Sequence, residues 1–113
     1  MIDVPRERFE QLVADALDGI PDDLGRYMDN VAVFVEDVPP DPHLLGLYQG
    51  VPLTVRGTSY SAAMPDRISI YRRTICAISN SEQEVVEQVR RTVIHEVAHH
   101  FGISDPRLRE LGW

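Results

Sequence analysis

Residues 81–102, SEQEVVEQVRRTVIHEVAHHFG, read as one long helix with both ends marked. Ser81 and Glu84 make an S-x-x-E capping box, which satisfies amide donors left over at a helix start. Gly102 suits the left-handed position just past a helix end, where a Cβ is penalised. At about 100° per residue, Val86, Val89, Val93, Val97 and Phe101 share one broad side. Gln88, Thr92, His95 and His99 share another, with Glu96 at the border. The apolar stripe is expected to bury against a sheet while the histidine stripe opens into a cleft.

The segments before this helix are shorter. Phe9, Leu12, Val13, Ala16, Leu17 and Ile20 recur at helical spacing over residues 5–20, with Pro5 suited to the first turn and Gly19 and Pro21 marking the end. DDLGRYMDN suits a short helical turn, and NVAVFVEDV a strand with Val31, Val33 and Val35 on one face. PPDPHLLGLYQGVPL, rich in proline and glycine, is expected to be a long, partly packed loop. Strand signals return in Leu53 to Val55, in RISIYRR and in TICAIS. In RISIYRR, Ile68 and Ile70 are expected to face inward, with Ser69 and Tyr71 on the other side.

A chain of 113 residues suits one domain, expected over 1–113. The net charge of −7 leaves no basic surplus for nucleic acid or for anionic membranes. No apolar run is long enough to span a bilayer, and MIDVPRERFEQL has no apolar core of a signal peptide. A single cysteine, Cys76, allows no internal disulfide and suits a reducing compartment, so a cytoplasmic location is expected.

The chemistry is in HEVAHHFGISD. Residues four apart on a helix stack one turn from each other, so His95 and His99 can turn their imidazoles to one ion. A catalytic zinc takes three protein ligands and keeps a position for water, so a third ligand must come from elsewhere. Gly102 can reverse the chain, and Asp105 can then present a carboxylate. Glu110 is the rival third ligand, and Asp105 has a competing use as the cap of a last helix through PRLREL. Glu96 points away from His95 and can reach a water on the ion, the general-base position.

Other polar residues receive blander readings. His100 projects away from His99 and is expected to be a packed or edge histidine, and His43 a surface residue of the loop. Cys76 reads as a small core residue. Tyr71 is a candidate oxyanion donor or substrate contact, against the commoner role of a half-exposed strand tyrosine. Arg72 and Arg73 are either a solvated edge or a carboxylate contact.

The pattern H-E-x-x-H-x-x-G-x-x-D resembles the extended zinc-binding motif of metzincin-type metallopeptidases, with aspartate replacing the third histidine. Together with LLGLYQGVPLTVRG, PDRISIYRR and VRRTVIHEVAHHFGISDPRLRELGW, the chain is similar over nearly its whole length to the small bacterial zincin-like metallopeptidase family. The resemblance implies an α+β zincin-like fold with an N-terminal helix, a small mixed sheet and a C-terminal active-site helix. It implies Zn2+ on His95, His99 and Asp105, Glu96 as catalytic base, and a peptide or protein substrate. The eight residues after Asp105 contain no methionine, so the support that larger metzincins place beneath the metal is expected from another segment. A monomer is favoured, and RISIYRR is the candidate edge strand for an extended peptide. The alternative is a non-catalytic module that keeps zinc for stability while the loop and edge strand bind a peptide or protein.

Overall fold

The computed structural model describes residues 1–50 and 65–113, so the expected strand Leu53 to Val55 lies outside the described residues. Helix α1 (Arg6–Asp18) buries Phe9, Leu12, Val13 and Ala16, the stripe read from its periodicity. Helix α2 (Asp22–Gly25) and a 3-10 turn (Arg26–Met28) lead into strand β1 (Val31–Glu36). Strands β2 (Gly46–Gln49) and β3 (Asp66–Tyr71) follow, then helices α3 (Arg72–Ala77), α4 (Glu82–His100) and α5 (Asp105–Leu111).

The strands form a mixed sheet in the order β1-β3-β2. β1 runs parallel to β3, with Val33 opposite Ile68, and β2 runs antiparallel to it, with Tyr48 opposite Ile68 on the other side. This corrects two expectations. RISIYRR is the central strand, paired on both sides, so it has no free edge for a peptide. LLGLYQG, read as loop, supplies β2, which among the described residues lies at an edge of the sheet. The pattern Gly-Leu-Tyr-Gln is too short to show a period of two, and the prolines around it hid the strand.

TICAIS is a further correction: its first four residues, Thr74 to Ala77, belong to α3, not to a strand. Its β-branched residues favour strand, but tertiary anchors override that preference. Arg72 Nη1 donates to the Val4 carbonyl at 2.8 Å, and Arg72 Nε donates to Asp37 at 2.9 Å. Thr74 Oγ1 donates to the Leu44 carbonyl at 2.7 Å. These contacts bend the chain as β3 ends, and Ile75 is left fully buried at the helix–sheet junction.

Both faces of β3 are covered, because Ser69 and Tyr71 are as buried as Ile68 and Ile70. The inward face packs on α4 through Val85, Val89, Val93, Ile94, Val97 and Ala98, with α1 completing the same core. Val86 is only partly buried and Phe101 is exposed, so the buried stripe of α4 is rotated from the one read in the sequence. The helix ends are as expected. Glu84 N donates to Ser81 Oγ at 3.1 Å, the Glu84 carboxylate accepts from the Asn80 amide at 2.6 Å, and Gly102 has φ of 81°. Among the described residues, no helix is long and apolar enough to cross a membrane.

Candidate metal centre

The last two turns of α4 present two adjacent stripes. One carries Thr92, Glu96 and His100 and faces β2; the other carries Arg91, His95 and His99 and faces α5. The His95 and His99 rings lie one turn apart with centroids 5.8 Å from each other. After α4 the left-handed Gly102 turns the chain, and Ile103 N donates back to the Ala98 carbonyl at 2.8 Å. Ser104 then caps α5 by accepting from Arg107 N at 3.4 Å. The cap of the last helix is therefore Ser104, and Asp105, on its first turn, has its side chain available.

That side chain reaches His99, whose Nε2 lies 2.7 Å from Asp105 Oδ1. The hydrogen bond from His99 holds the Asp105 carboxyl below the usual carboxylate range, and the charges of His99, His95 and Arg109 add to the effect. The structure thus brings Asp105 to the histidine pair. Glu110 is directed elsewhere: it accepts from Arg107 Nη1 at 2.9 Å on the solvent side of α5.

Two imidazoles and a carboxylate are the nitrogen and oxygen donors that zinc accepts, so the donor set fits that ion chemically. Donors sharing a tetrahedral zinc stand about 3.3 Å apart at ordinary bond lengths. At 2.7 Å, His99 and Asp105 are instead bonded directly to each other. Among the described residues, no group of three or more His, Cys, Asp or Glu side chains is gathered at metal-binding separation.

Glu96 lies on the β2 side. Its Oε1 accepts from the backbone amide of Tyr48 at 3.2 Å. Tyr71 N donates to the Leu45 carbonyl at 3.0 Å, so antiparallel alternation turns the Tyr48 amide outward, away from β3. The base candidate is therefore held by a donor on the sheet edge, leaving Oε2 clear of that bond.

Tyr48 is the residue that sequence reasoning missed. Its hydroxyl donates to the buried Asp66 at 2.6 Å, and its ring stacks on His100 with centroids 3.9 Å apart. His100, expected as a packed or edge histidine, stacks on Tyr48 but stays exposed. The strand that carries Tyr48 is too short to show alternation, so the sequence held no local signal for it.

Tyr71 is 2% exposed at the end of β3, and burial pushes its hydroxyl pKa up, with the charges of Glu36 and Glu96 adding to the effect. His43 is exposed in the segment before β2, its amide bonded to Asp41 at 2.9 Å. Cys76 is buried in α3, and burial raises its thiol pKa, which suits a packing role. Arg72 is committed to Asp37 and Val4, whereas Arg73 lines a separate hollow beside Met1.

Residues 28–113 match the family described as zincin-like metallopeptidase, a span that includes β1 to β3 and the whole of α4 and α5. No curated protein matches the chain. Among solved structures, a conserved hypothetical protein from Thermo thermophilus is similar with a TM-score of 0.55 and 25% identity, covering 86% of this chain and 94% of that one. With a family match over well more than half its length, this chain belongs to the zincin-like metallopeptidase family.

Proposed function

We propose that the protein is a zinc-dependent peptidase in which His95, His99 and Asp105 hold the metal and Glu96 is the general base. The observation that carries this reading is the Asp105 carboxylate resting on His99, one helical turn from His95, with Glu96 between the two histidines in sequence. A zinc ion held there supplies a Lewis acid and lowers the pKa of a water to about 7.

Glu96 accepts a proton from the water that attacks the peptide carbonyl. The Tyr48 amide occupies Oε1, so Oε2 is the oxygen that receives the proton. Glu96 then delivers that proton to the leaving amine, so the base is restored when the peptide bond has broken. The Tyr48 contact fixes the carboxylate orientation, and the hydroxyl of Tyr48 on Asp66 fixes Tyr48.

A closed structural zinc site would need a fourth protein donor. Glu110 is engaged with Arg107, and His43 is exposed in the segment before β2, so neither supports that alternative. The test is Glu96→Gln. Hydrolysis of a peptide library should vanish while zinc content stays within error of wild type, because the amide keeps the shape but accepts no proton. Loss of the metal in this variant would show Glu96 to be a ligand and overturn the assignment.

A further inference from the structure

A pocket of about 460 Å³ opens beside His95 and Asp105, lined also by Arg90, Arg91, Arg109 and Trp113. Its cations are placed by helical spacing. Arg91 precedes His95 by one turn of α4, and Arg109 follows Asp105 by one turn of α5, so each stands beside a proposed ligand. Arg90 is matched by Glu87 at 2.5 Å. Arg91 and Arg109 are exposed and, among the described residues, make no ion pair. In a chain of net charge −7, these two guanidinium side chains line a hollow that also touches the candidate metal centre. Trp113, half-buried and anchored by its amide on the Leu108 carbonyl at 3.0 Å, supplies an aromatic wall.

Resting on the peptidase reading, we propose that this pocket is a carboxylate-recognition subsite in which Arg91 and Arg109 hold an anionic group of the substrate peptide. Guanidinium forks match a carboxylate with two parallel hydrogen bonds, and walls of low dielectric strengthen that attraction. The carboxylate belongs either to an acidic side chain near the scissile bond or to the peptide C-terminus, and both present the same planar anion. A peptide without that group loses the anchor that places its carbonyl over the histidine pair.

Trp113 is the sole tryptophan, so its fluorescence reports on this pocket directly. The full chain carrying Glu96→Gln would be titrated with matched short alanine peptides, in metal-free and in zinc-loaded form. One pair has blocked ends and differs only in a Glu or a Gln; the other differs only in a free or an amidated C-terminus. One anionic member should bind about tenfold tighter than its neutral twin, and which pair shows the gain identifies the source of the carboxylate. Arg91→Gln and Arg109→Gln should each cut that advantage about fivefold or more, with the neutral twin unaffected. Equal binding of the twins, or an advantage that survives both substitutions, would overturn the subsite. Wild type that cuts neutral and anionic peptides alike would leave the peptidase reading standing without the subsite. Arginine-dependent binding by wild type that cuts no peptide would do the reverse.

Discussion

At the scale of single residues, the contact between His99 and Asp105 decides which carboxylate is available to a metal. Asp105 sits on the histidine at 2.7 Å and is held ionised by it, whereas Glu110 faces solvent and Arg107. Asp105→Ala should therefore weaken zinc affinity by more than about tenfold, and Glu110→Ala should hardly change it. Competition titrations with a chelating indicator measure both, and the reverse order would transfer the third position to Glu110. The reason this much could be read from sequence is that every contact in the cluster is local. Helical spacing pairs His95 with His99, and one left-handed glycine returns Asp105 to them. Tyr48 could not be read in the same way. Its contacts with Glu96, Asp66 and His100 join segments far apart in the chain, and no local pattern encodes them. Tyr71 shows the converse: its place at the end of β3 was legible, but its burial depends on what covers the sheet.

At the scale of elements, the crossing of β2 over α4 sets the distance between the sheet edge and Glu96. Gly46 is buried at that crossing, and a Cβ there would lie 2.6 Å from Thr92 Cγ2 and 3.0 Å from the Ser69 carbonyl oxygen. Thr92 cannot rotate away freely, because its Oγ1 donates to the Gln88 carbonyl at 2.7 Å. Two residues along β2 from Gly46, Tyr48 meets Glu96, one turn along α4 from Thr92, so the strand and the helix stay in step. Gly46→Ala should destabilise the fold by about 1–3 kcal/mol, as overpacking does, and lower activity by displacing the Tyr48 amide. Thr92→Ser in that background removes Cγ2 and keeps the hydroxyl, so it should recover part of the loss in urea denaturation. A Gly46→Ala protein as stable as wild type would show that β2 is free to lift from α4. The sequence marked the ends of α4 well because both caps are encoded locally, whereas its buried face is rotated from the one read because that face is set by what packs on it. It misread TICAIS, where bonds from Arg72 and Thr74 to distant segments outweigh strand propensity, and it missed β2, whose four residues are defined by their partner β3.

At the scale of the whole molecule, the C-terminal helix is the part most dependent on the proposed metal. α5 is seven residues long, and Leu108 is its one buried residue, at 3% exposure. Around it, Ile103 and Trp113 pack only partly buried against the core, and the contact of Asp105 with His99 is exposed. By contrast, α4 and α1 share the main core, with Phe9, Val85, Val89 and Val93 almost wholly buried. A helix of so few turns with so little burial opens more readily than that core. A ligand that binds only the folded state stabilises it by mass action, by about 2.7 kcal/mol at a hundredfold excess over Kd. Zinc held jointly by α4 and Asp105 would put that free energy into the junction between α4 and α5. Zinc should therefore raise Tm and slow amide exchange most strongly over residues 103–111, and a chelator should reverse both. Asp105→Ala should abolish the protection of α5 while leaving exchange in α1 and the first half of α4 as in the metal-free protein. If zinc protected α1 and α5 equally in this variant and in wild type, the metal would be held elsewhere, and Asp105 would serve only as a partner of His99.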